Sequence, residues 1–518
     1  MQGKLLYGDV NNHLKRLATL DIGSERSKQC LSGIVCTIGP ATTDADLLVQ
    51  MMRSGMTIAR LNFSHGSHLE HSSRIDVIRR ALELYKEAYN ETYPLAIALD
   101  TKGPEIRTGT TEQASKIKPE IKSGTYVTLT TEPEYKNACT NKIIYIDYHR
   151  LPDVVKVDDR IYIDDGKIIL KCTKIGTNSI ECKVINGGTL GNKKGVNLPG
   201  IALGLPAISE QDKKDLELGV RKKIDMVFAS FIHTAQDIID IRNNLGEAGK
   251  DILVIAKIER QEALDNIDAI IDESDGIMVA RGDLALQIPV EKVFLAQKSV
   301  IAKCNLKGKP VICATQMLES MMGSQRPSRP DVSDISNAIL DGADCVMLSG
   351  ETAVGKFPVE CVKTMERICR EAETAVWNER LSEEVEVTLT DADQVSAASV
   401  VLANMCNAPA IMLGSSSSEQ LSGLVSKYRP RCPILAVTKN LKFAAQIGLY
   451  RGVVPLIAEA ETFVIGFEAK ERLENVLDYA NRKGFIEDGN RVIFLEKGES
   501  ISKTCKDRYI MEMLTVIK

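Results

Sequence analysis

Eight short apolar runs, each breaking off in polar or charged residues, constrain this 518-residue chain more than any other feature. They read IVCT (34–37), IARLNFS (58–64), LAIALDT (95–101), MVFAS (226–230), LVIAKIE (253–259), GIMVARGD (276–283), PVICAT (310–315) and CVMLSGE (345–351). Their length and β-branched content suit strands buried on both faces. Most lead through a polar or Gly-rich turn into a segment of helical period, such as DADLLVQMMRSG or TAQDIIDIRNNLGEAG. Strand alternating with helix implies parallel βαβ units, and eight of them predict a closed (β/α)8 barrel.

The third and fourth runs begin at 95 and 226, so something is inserted between them. Residues 105–204 carry short strand-like pieces, YVTLTT, KIIYID, RIYIDDGKIIL and SIECKVING, punctuated by Gly, Asp and Pro, as in a small all-β domain. Beyond 375 the runs AIMLG, PILAVT, VVPLI and RVIFLE form a smaller α/β unit. The predicted architecture is a TIM barrel over 31–104 and 205–375, an inserted β cap over 105–204, and a C-terminal α/β domain over 376–518. Residues 1–30 read as a helical arm.

A net charge of −5 supplies no basic field for nucleic acid or an anionic membrane. No run approaches the roughly 18 apolar residues of a membrane span, and the N-terminus lacks a secretory apolar core. Thirteen scattered cysteines without a C-x-x-C pair read as free thiols in a reducing compartment, which points to the cytosol.

In a (β/α)8 barrel the site lies where the strands end at their C-terminal face. Side chains two apart on a strand share a face, so Lys257 points with Glu259, and Arg60 with Asn62 and Ser64. Asp100, Thr101, Asp283, Thr315 and Ser349 end other strands. One mouth thereby gathers carboxylates, cations and hydroxyls, a combination suited to a divalent cation holding an anionic substrate.

CTIGPAT (36–42), GMTIARLNFSHG (55–66), LDTKGPEIRTG (99–109), KKGVNLPG (193–200), MVFASFI (226–232), AKIE (256–259), GIMVARGDLAL (276–286), GKPVICATQMLESM (308–321) and LDGADCVMLSGETAVGKFP (340–358) together resemble the pyruvate kinases. The resemblance runs from about residue 31 to the end and is weaker in the last domain. It implies transfer of the phosphoryl group of phosphoenolpyruvate to ADP, giving pyruvate and ATP, with Mg2+ or Mn2+ and K+ as cofactors and a homotetramer as the assembly.

By the same resemblance, Lys257 supports the moving phosphoryl group, while Glu259 and Asp283 are the Mg2+ ligands. Ala280, Gly282 and Asp283 open a turn that receives the substrate carboxylate, and Thr315 is the threonine linked to protonation of the enolate. Arg60 and Arg107 bind phosphate, Lys194 lies on the nucleotide side of the cap, and Asn62 and His65 adjoin the nucleotide. Asn62, Ser64, Asp100 and Thr101 correspond to potassium ligands, and Glu105 is the residue type that accompanies potassium dependence.

Other readings compete. Aldolases that form a pyruvate enolate also use a Glu and an Asp on Mg2+, so a carbon–carbon lyase is one alternative, and a catalytically inactive metabolite-sensing scaffold is another. GETAVGKF (350–357) nearly spells a phosphate loop, but Phe357 replaces the hydroxyl and Pro358 follows. His65, His68 and His71 do not have the spacing of a zinc site and read as solvated residues at a helix start. Ala285 and Gln287 depart from the glycine and acidic residue of the resembling family, so altered local packing or subunit contacts are expected there. The segment GSSSSEQLSG (414–423) lacks basic residues and reads as a solvated loop, not a fructose 1,6-bisphosphate site, and EKGESISKTCKDRY (496–509) adds no effector pattern.

Overall fold

The computed structural model describes residues 12–23, 28–111, 118–201, 203–204, 206–385, 387–388, 390–457, 469–498 and 508–516. All eight apolar runs are strands. They occupy Gly33–Thr37, Ile58–Asn62, Ala96–Asp100, Met226–Ala229, Leu253–Ile258, Gly276–Ala280, Val311–Ala314 and Cys345–Leu348, and form one closed parallel barrel in chain order. Closure comes from pairing of the first with the eighth, Gly33 opposite Cys345.

The period-2 rule sorts each strand's side chains. Val254, Ala256 and Ile258 face the surrounding helices, while Ile255 joins Val35, Ile58, Ala98, Phe228, Met278 and Ile312 inside the barrel. Lys257 shares the face of Ile255, so the inward row changes from apolar to charged at the rim. Arg60 follows Ile58, and Asp100 follows Ala98, in the same way.

The insertion builds a seven-stranded sheet with its own core, including Leu129, Ile144, Ile161, Leu170 and Ile180. Its strands Ile106–Arg107 and Gly195–Asn197 lie at the sheet edge nearest the chain crossings to the barrel, with Gly195 opposite Arg107.

The C-terminal sheet has five strands, one more than the sequence patterns reveal. Val453–Ile457, Ile434–Thr438, Ile411–Leu413 and Arg491–Gly498 are parallel, and Arg508–Thr515 adds an antiparallel edge. This unit closes the barrel floor: Ala445 and Leu449 pack into the interior cluster, and Gln446 donates to the carbonyls of Asp225 (2.8 Å) and Asp251 (2.7 Å).

Of the N-terminal arm, a six-residue helix His13–Ala18 is described, capped by Asn12, and Arg16 donates to the Thr374 carbonyl at 3.4 Å. Residues 1–11 and 24–27 of that arm lie outside the described residues, as do 499–507 of the second effector stretch. Among the described residues, twelve cysteines are free thiols, and no helix is long and apolar enough to cross a membrane.

Candidate active site

Lys257 sits at the centre of the barrel mouth. Its ammonium contacts Asp100 Oδ1 at 3.0 Å, Ser230 Oγ at 2.7 Å and Glu259 Oε1 at 2.9 Å. Burial works to lower its pKa, but the adjoining Asp100 and Glu259 carboxylates outweigh it and hold the pKa above the ordinary lysine value. The group is a fixed cation.

Asp100 is the second hub. Its Oδ2 accepts from Arg60 Nε at 2.6 Å, and Arg60 Nη1 reaches Thr37 Oγ1 at 2.8 Å, so the guanidinium plane is set at two nitrogens. Burial works to raise the Asp100 pKa, yet Arg60 and Lys257 outweigh it and keep the carboxylate ionised. Glu259 is fixed through its other oxygen, which accepts from the Phe231 N–H at 2.7 Å. Phe231 adopts a left-handed φ of 56°, and its ring lies against Gly103, where any Cβ would collide with it.

Asp283 opens the short helix Arg281–Gln287 that follows the sixth strand. The crowded cleft, the neighbouring Glu259 and then Asp165 and Glu105 push its pKa up to about 7, against the pull of Lys257. Asp283 is nonetheless exposed to solvent. Two hard carboxylates on neighbouring strand ends, the charge of one acting on the other, form a donor set that fits a small divalent cation.

Across the mouth, Thr315 and Gln316 both hold left-handed backbone, φ 79° and 55°. Arg281 enforces this: Nη2 donates to the Thr315 carbonyl at 2.7 Å, and the guanidinium pairs with Asp334 through two contacts, 2.5 and 2.6 Å. Gly282 faces Thr315 so closely that a Cβ would lie 2.7 Å from its Cγ2. The glycine is required by this approach.

The family model described as pyruvate kinase, barrel domain, matches residues 30–362, and the pyruvate kinase alpha/beta domain matches 393–504. Pyruvate kinase PKLR of Rattus norvegicus is 46% identical over 497 residues, covering 95% of this chain and 86% of the relative. Pyruvate kinase 2 of Trypanosoma brucei brucei is 44% identical over 487 residues, covering 93% and 96%. Pyruvate kinase 2 of Candida glabrata is 44% identical over 494 residues, covering 94% and 95%.

The chain belongs to the pyruvate kinase family.

Neither the lyase nor the inactive-scaffold alternative finds support among these pyruvate kinases. The strand ends bring Arg60, Asp100, Lys257 and Glu259 into one network, with Asp283 and Thr315 on the next two strand ends. Arg107 and Lys194 stand apart on the cap, where Arg107 pairs with Glu105 and donates to the Lys193 carbonyl at 2.8 Å, and Lys194 meets Asp164 Oδ1 at 2.8 Å. Thr101 Oγ1 accepts from the Ser230 N–H at 3.0 Å, and Asn62 Oδ1 from the Ser64 N–H at 3.0 Å. His65 is exposed at the mouth.

Two expectations require correction. His71 is not solvated: it is 1% exposed, stacks on Phe63 with centroids 3.9 Å apart, and meets the His65 carbonyl at 2.7 Å, while His68, its side chain 39% exposed, meets Asp215 at 2.5 Å. They serve as packing for the start of the helix His68–Tyr89, which Ser67 and Glu70 cap reciprocally. The segment 414–423 is a solvated loop only in part: Ser415, Ser416, Glu419 and Gln420 are exposed, but a helix begins at Ser418. Ser417, Ser418 and Ser422 are buried; the first two donate to the carbonyls of Leu495 and Leu413 on the adjoining strands, and Ser422 to the Ser418 carbonyl one helical turn back.

Sequence reasoning missed Ser230 and Thr37. Ser230 Oγ accepts from Lys257 and lies 2.6 Å from the Thr101 carbonyl, and Thr37 steadies Arg60. Both end barrel strands, so the rule that exposed Lys257 covers them too. The phosphate-loop look-alike is structural: Glu351 is buried and accepts from the N–H groups of Leu318 (3.0 Å) and Ser349 (2.8 Å).

Proposed function

We propose that the network around Lys257 carries out the pyruvate kinase reaction, in which the phosphoryl group leaves the C2 oxygen of phosphoenolpyruvate for ADP and the enolate takes a proton to give pyruvate. The observation that carries this reading is the buried ammonium of Lys257, held at a set position by Asp100, Ser230 and Glu259. Phosphoryl transfer passes through a loose transition state, so placement and preorganised positive charge supply most of the catalysis.

Lys257 and Arg60 face the transferring group with orientations already set, which costs no reorganisation during the reaction. The turn at Ala280, Gly282 and Asp283 receives the substrate carboxylate. Thr315, whose place is fixed by Arg281 and Gly282, relays the proton to the enolate carbon; a hydroxyl of ordinary acidity acts there as a conduit. Glu259 and Asp283 would hold Mg2+ or Mn2+. Bound there, the cation neutralises the charge developing on the phosphoryl and enolate oxygens.

On the nucleotide side we assign Arg107 and Lys194 of the cap, with Asn62 and His65 at the rim. Asn62, Ser64, Asp100 and Thr101 are the potassium ligands in this reading, all oxygen donors. Glu105 fits it, since a carboxylate contributes no positive charge of its own to the site.

A homotetramer is supported by apolar side chains that the single chain leaves exposed: Phe294, Leu295 and Leu306 on the helix Val293–Lys307, and Met511 and Met513 on the edge strand. Free thiols support a cytosolic location. Control by fructose 1,6-bisphosphate is disfavoured by Glu496, whose carboxylate adjoins Gly414 and accepts from Ser416 Oγ at 3.1 Å.

The deciding experiment is a coupled assay for ATP formed from phosphoenolpyruvate and ADP. ATP formation that needs both substrates supports the reading, and its absence from folded protein rejects it.

A further inference from the structure

We propose that Gln287 is a positioning residue that latches the cap over the barrel mouth by holding Asn197. Gln287 closes the helix whose first turn carries Asp283, and its Nε2 donates to Asn197 Oδ1 at 3.4 Å. Asn197 ends the cap strand Gly195–Asn197, three residues after Lys194, and Gly195 of the same strand pairs with Arg107. One hydrogen bond between side-chain amides therefore joins the helix bearing Asp283 to the strand that sets the two cap cations.

A second contact lies beside it. Leu286 packs against the cap turn Asp164–Asp165–Gly166, where a Cβ on Gly166 would stand 3.3 Å from Leu286 Cδ2. All three turn residues are left-handed, φ 56°, 53° and 80°, which brings the turn backbone close to the helix. Asp164 also binds Lys194 at 2.8 Å, tying this turn to the strand of Asn197. The helix thus meets two linked parts of the cap through adjacent residues, one apolar contact and one directional bond.

A neutral amide suits position 287. Glu105, Asp165, Glu259 and Asp283 already place four carboxylates near the cleft, and the charges of the first three bear on Asp283. Glutamine supplies an N–H donor to Asn197 Oδ1, where an ionised carboxylate could only accept. The bond is local to the cap and the helix, so its loss loosens Lys194 and Arg107 while leaving Lys257, Asp100 and Arg60 in place.

This inference rests on the assignment of Lys194 and Arg107 to the nucleotide. The test is steady-state kinetics of Gln287→Ala, Asn197→Ala and the double variant, with ADP and phosphoenolpyruvate varied separately. Each single variant raises KM for ADP about threefold to tenfold, the range one neutral hydrogen bond spans, with KM for phosphoenolpyruvate unchanged. The double variant is no worse than either single one, because both remove the same bond. Unchanged KM for ADP, equal rises for both substrates, or losses that multiply in the double variant would each overturn the latch. A wild-type protein forming no ATP would instead sink the phosphoryl-transfer reading, and the latch with it.

Discussion

Lys257 and Glu259 lie two residues apart on one strand and close a 2.9 Å ion pair inside the barrel mouth, both almost wholly buried. A strand presents alternate residues to the same side, so the pair follows from the sequence AKIE once the strand enters a barrel. The charges persist there because each has a further partner: Asp100 and Ser230 for the lysine, the Phe231 N–H for the glutamate. A buried pair of this kind is weak support for the fold and a strong constraint on position.

Replacing Lys257 with methionine leaves Asp100 and Glu259 facing one another without their shared cation. ATP formation falls at least about 100-fold, and stability drops by about 3–5 kcal/mol, the cost of leaving buried charge uncompensated. The coupled assay and a urea titration measure the two effects; an unchanged urea midpoint would contradict the electrostatic account.

Ser230→Ala removes the hydroxyl between Lys257 and the Thr101 carbonyl. The ammonium keeps both carboxylates but loses its third fixed point. The expected result is a fall in kcat of about tenfold, equivalent to about 1.4 kcal/mol, with the urea midpoint nearly unchanged.

Asp225 sets a pH dependence away from the site. It accepts from the Ile97 N–H at 2.7 Å at the barrel floor, and burial pushes its pKa up to about 6. The folded state then holds a proton that the unfolded chain releases near 4, so this group's contribution to stability is full below pH 4 and is lost as pH rises through 6. Asp225→Asn keeps an acceptor for Ile97 and carries no charge. Its gain over wild type grows from near zero at pH 4 to about 1–3 kcal/mol at pH 7.5, read from denaturation midpoints at the two pH values.

Without monovalent cations, activity falls at least about tenfold, and Glu105→Lys recovers part of it by supplying a positive charge. Rates in K+ and in tetramethylammonium salts at equal ionic strength decide this. Full activity in the second salt would remove potassium from the mechanism.

How much of this was legible in the sequence depended on whether a residue breaks its local pattern. Lys257 and Glu259 are charges at the end of an apolar run, so they announce themselves, as do Arg60 and Asp100. Ser230 and Thr37 carry no charge and pass for ordinary strand ends. His71 misleads in the opposite sense: it sits in the polar stretch HGSHLEHSS, and its burial depends on Phe63 of the preceding loop, a tertiary contact that local pattern does not encode. The edge strand Arg508–Thr515 is mostly solvent-facing and gave no clean alternation. The cap's partners, Gln287 with Asn197, lie 90 residues apart and emerge only from the fold.

In the proposed reaction Glu259 and Asp283 hold a divalent cation beside Lys257. The most direct test of this is ATP formation from phosphoenolpyruvate and ADP as Mg2+ is titrated, comparing wild type with Glu259→Gln. The expected result is no ATP without Mg2+, and a variant that needs at least about tenfold more Mg2+ for half its own maximal rate, in keeping with the loss of a charged ligand. Identical Mg2+ curves for the two proteins would contradict it.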